Sequence, residues 1–203
     1  MATVLYLRST QNNGIGATYF DMVTAAGAGA ATAVVNATAG GTEIQWTQTA
    51  GGALIQWISG RAPAGGFTLT TSDISVWCHE SVMTVNAGGR YRLFKRTAAG
   101  IETELLGGPF DDGVEFGTSA AEMLWAGNPT DTIFLEDDRL LLKVYITNVG
   151  TMAAGTCTLT YNAAAAATGD SFLNIAETVA FKSDAAATAL KDPIGRGVVP
   201  WLR

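Results

Sequence analysis

The stretch GRYRLFKRTAAGIETELL, Gly89 to Leu106, constrains the fold more tightly than any other part of the chain. Two alternating runs flank Ala98-Ala99-Gly100, a three-residue loop whose last position needs a positive φ that glycine adopts without a Cβ clash. That loop closes on Thr97 and Ile101, pairs Arg96 with Glu102 and Phe94 with Glu104, and sets Leu93 opposite Leu105. The two leucines then share one face, while Arg92, Arg96, Glu102 and Glu104 share the other. A loop one residue shorter or longer would carry glutamates onto the apolar face, so the alternation itself selects the register. The product is a half-buried antiparallel ribbon.

Most of the chain repeats this pattern. Val4–Arg8 reads as a first strand, followed by a turn at Gln11-Asn12-Asn13-Gly14. Thr24–Gly41 is nearly all Ala, Gly, Thr and Val, an extended segment with a short strand near Ala33–Asn36. The echoing EIQW and LIQW segments, Glu43–Trp46 and Leu54–Trp57, predict a hairpin across Thr49–Gly52. Asp73–Val82 turns Ile74, Val76 and Cys78 inward and Trp77 and His79 outward. Gly107–Gly117 reads as a Gly- and acid-rich loop, and Ala121–Ala126 as a strand stopped by Gly127-Asn128-Pro129. In Arg139–Val149, Leu140, Leu142, Val144 and Ile146 alternate with Arg139, Lys143, Tyr145 and Thr147. Cys157, Leu159 and Tyr161 alternate with threonines in an antiparallel partner, and Ser171–Lys182 is the last strand. Nine or ten short strands without a periodic helix predict two packed antiparallel sheets. A jelly-roll-like β-sandwich is favoured over an immunoglobulin-like one because the Cys, Trp, Cys arrangement is missing.

The 203 residues suffice for one domain with a full core, and hydrophobic residues at 48% argue against disorder. A net charge of −6 disfavours nucleic acid, which needs clustered lysine and arginine. No apolar run approaches the roughly 20 residues of a membrane helix. The N-terminus has the form of no signal peptide, so a soluble protein made inside the cell is expected. Cys78 and Cys157, both inward on their strands, read as small buried thiols rather than a disulfide framework.

Chemistry-bearing residues are sparse. His79 is the single histidine, which restricts triads and zinc sites; its default role is that of a polar residue on a strand face. Asp111, Asp112 and Glu115, and separately Glu136, Asp137 and Asp138, offer oxygen ligands to calcium but lack EF-hand spacing, and turn acids are the default reading. Gly14-Ile15-Gly16 and Gly195-Arg196-Gly197 precede no helix and make no phosphate loop. Trp46, Trp57, Trp77 and Trp125 read mostly as core, with Trp77, beside His79, the one placed to stack on a sugar ring. No catalytic, cofactor or metal site is assigned, and no enzyme is expected.

From Ser183 the alternation stops. Residues 1–182 form the expected sandwich and residues 183–203 an extended arm. Pro193, Arg196, Val198, Val199, Pro200, Trp201, Leu202 and Arg203 are its interaction residues. Prolines stiffen this segment before docking, and Pro200 suits an edge or groove better than a central strand. The arm is expected to add little to folding and much to assembly.

The opening Leu5-Tyr6-Leu7-Arg8, the hairpin GRYRLFKR, the loop GGPFDDGVEFGTSAAE, the strand DRLLLKVYITNVG and the tail DPIGRGVVPWLR together resemble β-sandwich structural proteins of tailed-bacteriophage virions, especially head decoration (cement) proteins. The resemblance implies a protein located on the virion that binds the major capsid protein or another virion protein and stabilises the shell without chemistry. It also implies a homo-oligomer, trimer favoured, with no nucleic-acid or membrane partner and no cofactor. The alternative reading is a carbohydrate-binding module on the virion that aids host attachment, with Trp77 and His79 facing the glycan.

Overall fold

The computed structural model describes residues 2–12 and 14–184; the interaction residues assigned to the arm, Pro193 through Arg203, lie outside the described residues. The chain is an all-β, antiparallel-dominated β-sandwich, as expected. Its strands are β1 (Thr3–Gln11), β2 (Tyr19–Val23), β3 (Ala31–Ala37), β4 (Glu43–Gln45), β5 (Gln56–Ser59), β6 (Phe67–Leu69), β7 (Ser72–Glu80), β8 (Ala87–Arg96), β9 (Glu102–Glu104), β10 (Phe110–Glu115), β11 (Ala121–Gly127), β12 (Thr132–Phe134), β13 (Arg139–Asn148), β14 (Gly155–Tyr161) and β15 (Phe172–Ile175). A 3-10 turn, Met83–Val85, separates β7 from β8.

One hydrogen-bonded path runs β10-β8-β13-β5-β2-β1-β15-β7-β14-β3. It folds over so that β8 and β13, extended by β9, β4 and β5, make one layer. The other layer holds β7, flanked by β11 on one edge and by β15 and β14 on the other. The only parallel pairing on this path is β2 with β5, where the chain passes between layers. A separate two-stranded ribbon, β6 with β12, completes the described structure.

The organising hairpin forms in the expected register: Phe94 opposes Glu104, Arg96 opposes Glu102, and Leu105 N–H donates to Leu93 C=O at 2.8 Å. Gly100 has φ +88° and closes the loop. Leu93 and Leu105 are buried, whereas Arg92 pairs with Glu104 and Arg96 with Glu102 on the outer face. β8 and β13 then pair along ten residues, Arg139 with Arg96 through Asn148 with Ala87.

Other expectations are revised by long-range pairing. The EIQW and LIQW segments meet only at their tip, where Thr47 bridges Leu54 and Ile55 N–H donates to Trp46 C=O. Their strands instead line up end to end along the same edge of β13, β4 on Tyr145–Thr147 and β5 on Leu141–Leu142. The stretch Gly107–Gly117, expected as loop, contributes β10, because Phe110 and Asp111 find partners in Tyr91 and Arg90 of β8. The final strand is shorter than expected: it ends at Ile175, although Val179 remains in the core. Asp184, assigned to the arm, is tied to the body by Arg139 and by Asn12 Nδ2 at 2.9 Å.

The layers approach closely because large and small residues are matched. Trp46, Trp57 and Trp125 are all fully buried. Trp57 sits edge-on to Tyr161 at 5.2 Å and donates its indole N–H to Arg8 C=O. Trp125 of β11 lies directly over Gly89 of β8, where a Cβ would overlap the indole ring. Gly127 is likewise filled by the Tyr91 hydroxyl. Overpacking a close-packed interior costs about 1–3 kcal/mol. Gly89→Ala is therefore expected to destabilise the protein by at least about that much. Gly117→Ala, whose Cβ would meet nothing nearer than 3.8 Å, should change stability by no more than about 0.5 kcal/mol. Urea denaturation of both variants checks this, and equal effects would refute the interlayer role of Gly89.

Candidate functional site

β7 places the outward Trp77 in the middle of a sheet row. Trp77 is directly opposite Glu122 of β11 and Thr160 of β14. Phe172 of β15 faces Ser75, two residues back along β7, and Tyr6 of β1 faces Phe172 with their rings edge-on at 5.8 Å. The loop after β14 walls this row. Together Tyr6, Trp77, Glu122, Ala165, Ala166, Ala167, Asp170 and Phe172 line a cleft of about 510 Å³.

The polar groups of the cleft are held from behind. Ser75 Oγ donates to Glu122 Oε1 at 2.6 Å. Asp170 Oδ2 accepts the Ala166 N–H at 2.5 Å, and Ala166 has φ +59°, a left-handed conformation uncommon for a non-glycine residue. The other oxygen, Asp170 Oδ1, is buried with no hydrogen-bond partner in the protein. No lysine or arginine lines the cleft.

The sequence-selected residues fall as follows. Trp77 is half-buried and lines the cleft; His79 shares its face two residues on, opposite Thr158, but does not line it, and its Nδ1 is buried without a partner. Asp111, Asp112 and Glu115 diverge: Asp111 pairs with Arg90 at 2.7 Å, and Asp112 Oδ1 accepts the Val114 N–H at 3.0 Å in a local turn. Glu115 lies beside Glu80. Glu136 and Asp137 pair with Lys182, and Asp138 Oδ2 accepts the Leu135 N–H at 2.9 Å. Among the described residues no group of three or more His, Cys, Asp or Glu side chains is arranged to hold a metal ion. Cys78 and Cys157 are buried free thiols, and burial pushes the Cys157 thiol up to about 12.

Sequence reasoning missed Tyr6, Glu122, Asp170 and Phe172. Alternation with Leu5 and Leu7, both buried, is the signal that could have found the face of Tyr6, yet the strand order that brings it beside β7 is non-local. A second hollow of about 350 Å³ is lined by Arg61, Arg96 and Arg139. Each of these guanidinium groups is held by a carboxylate: Asp137, Glu102 and Asp184 respectively.

An apolar surface lies elsewhere. Phe134 of β12 stacks on Phe67 of β6 at 4.7 Å, and its neighbours Ile133 and Leu135 point outward, 63% and 64% exposed. Lys95 Nζ donates to Ile133 C=O at 3.2 Å; Leu106, 73% exposed, accepts the Thr130 N–H at 2.8 Å through its carbonyl. Among the described residues no helix is long and apolar enough to cross a membrane.

No protein-family model matches the chain, and no curated protein matches it. Among solved structures, two of a CocE/NonD family hydrolase from Staphylococcus aureus match with TM-scores of 0.54 and 0.55. Both are 11% identical over 86% of this chain and 36% of theirs. This chain therefore spans about a third of the length of those hydrolases. The structure of infectious bursal disease virus, Gx strain, matches at a TM-score of 0.32 and 15% identity, over 76% of this chain and 35% of that one. That score carries no argument about shared fold. The expectation that the chain is not an enzyme is corrected by the first two matches, because its structural neighbours are hydrolases. At 11% identity the likeness shows the fold alone.

Glu80 supplies a test of the electrostatics behind β7. It is fully buried, and its Oε2 accepts the Ala87 N–H at 3.2 Å while its Oε1 has no partner. Burial raises its pKa; the Ala87 N–H opposes this, and the adjacent Glu115 carboxyl adds to the rise. A raised folded pKa contributes stability below the unfolded carboxyl range and loses it as pH rises through the folded value. Glu80→Gln, which keeps the acceptor, should thus melt a few degrees above the native protein at pH 8, each kcal/mol being worth about 2–4 °C. The two curves should converge near pH 4. Thermal melts across this range check the prediction, and a constant difference at all pH values would contradict it.

Proposed function

We propose that this chain is a structural module of a tailed-phage virion, docking as a decoration (cement) protein on the head shell and bridging neighbouring subunits. The observation that carries the reading is the exposed apolar pair Ile133 and Leu135, which flanks the buried Phe134 on the β6–β12 ribbon. Side chains of this size contribute about 1.5–3 kcal/mol each when moved from water into an interface, and contiguous exposed apolar patches mark interaction sites. Many copies, each burying a small patch, would reinforce a shell additively. The sequence resemblance to decoration proteins supports the same reading. Ile133→Glu with Leu135→Glu should leave the melting temperature within about 2 °C, since both side chains are exposed, and should reduce incorporation into particles at least tenfold. Quantitative mass spectrometry of purified virions measures it. Absence of the native protein from particles, or undiminished incorporation of the variant, would defeat the proposal.

A second reading follows from the hydrolase likeness: the chain carries or completes a hydrolytic site. Release of nitrophenol from p-nitrophenyl acetate or butyrate by the purified chain, abolished in His79→Ala, would favour it. Turnover no faster than buffer would remove it.

A further inference from the structure

We propose that the cleft formed by Tyr6, Trp77 and Phe172 with Glu122 and Asp170 binds a neutral sugar ring, independently of the apolar patch assigned to assembly. The shape comes first. A cleft of about 510 Å³ falls within the roughly 300–1,000 Å³ typical of small-molecule sites, and it combines aromatic walls with a few convergent polar groups. The half-buried indole of Trp77 lines the cleft as a surface for the C–H face of a pyranose, and Phe172 and Tyr6, edge-on to each other, extend the aromatic wall along the sheet.

The polar chemistry selects the ligand class. Glu122 and Asp170 accept hydrogen bonds and donate none when ionised, so they match the hydroxyl donors of a sugar through charge-assisted O–H···O contacts. Asp170 is the sharper indicator. Asp170 lines the cleft, and its Oδ1 is a buried carboxylate oxygen with no donor in the protein, a costly state that a hydroxyl entering beside it would relieve. Its Oδ2 is already committed to Ala166 N–H, so the side chain is fixed before any ligand arrives. That arrangement lowers the ordering cost of binding. Two carboxylates with no lining cation repel phosphate, sulfate, uronate and sialate groups. The fit is therefore to an uncharged hexose, presented singly or within a glycan.

The test uses the full chain and ligand-observed NMR with neutral hexasaccharides of glucose, mannose and galactose, alongside an oligogalacturonate. At least one neutral oligosaccharide is expected to bind with a Kd below roughly 10 mM, and the uronate is expected not to bind. Trp77→Ala should weaken binding about tenfold through loss of the stacked ring. Glu122→Gln, at an exposed position, should weaken it about threefold while leaving the melting temperature unchanged, so that loss of binding is separable from loss of fold. No binding of any neutral oligosaccharide, undiminished binding by Trp77→Ala, or preference for the uronate would each overturn the proposal. None of these outcomes bears on incorporation through Ile133 and Leu135.

Discussion

The ten-residue ladder between β8 and β13 is the constraint from which the rest of the sandwich follows. Its inner face carries Tyr91, Leu93, Leu142 and Val144, all buried. Its outer face carries Arg90, Arg92, Arg96, Lys143 and Tyr145. A one-residue slip would drive guanidinium groups into the core, where an unpaired charge costs several kcal/mol. On the outer face the charges neutralise one another. Glu43 of β4 holds Arg90 and Arg92 at 2.8 and 3.0 Å, and Glu102 of β9 holds Arg96 and Lys143 at 3.1 and 3.2 Å. Burial raises the Glu43 carboxyl, but hydrogen bonds from Arg92 and Arg90 outweigh burial and hold it below the usual range. Arg92 also lies over Tyr145 and Lys143 over Phe94. Isolated surface pairs contribute little, yet here they form a connected lattice that pins β4 and β9 to the edges of the ladder.

That lattice also decides where binding is available. Every described lysine and arginine except Arg8 has a carboxylate within 4.0 Å, and Arg8 is held by Asn162 and two loop carbonyls. The cations are committed to structure. The surfaces left open include apolar side chains on the β6–β12 ribbon and the aromatic and acidic cleft of the opposite layer. This follows from composition as well as geometry, because a chain with 12 basic and 18 acidic residues cannot pair every acid.

The organising hairpin was legible because its information is local. Loop length, the glycine at the positive-φ position and the alternation of leucine with charge all lie within eighteen residues of each other. The inward parity of Ile74, Val76 and Cys78 was legible for the same reason. Pairings between distant strands were not. β10 carries two aspartates and a glycine, a loop-like composition, and becomes a strand only because β8 offers an unpaired edge beside β9. EIQW and LIQW look like hairpin partners, yet both find better pairing on β13, whose free edge is long enough for the two end to end. For the cleft, the outward direction of Trp77 could be read from alternation. Its neighbours Tyr6, Phe172 and Asp170 come from 71 residues before it and 95 and 93 after it, in a strand order that periodicity does not encode.

The abundance of alanine and glycine has a mechanical reading that connects the core to both surfaces. Two layers joined through fully buried tryptophans can close only where the facing strand carries almost no side chain, as at Gly89 beneath Trp125 and Gly127 beneath Tyr91. Gly155 against Val85 and Gly88 against Val149 repeat the match at the sheet ends. Such packing leaves little room for the layers to slide, since a close-packed interior is bistable rather than continuously deformable. Rigidity of this kind suits a surface that must present Trp77 and Asp170 in fixed relation, because a preformed cleft loses little entropy on binding. It equally suits a body that meets its neighbours through a few exposed apolar side chains, where the ordering cost would otherwise exceed what so small a patch contributes. The same small residues that weaken strand propensity locally therefore stabilise the positions on which either kind of recognition depends.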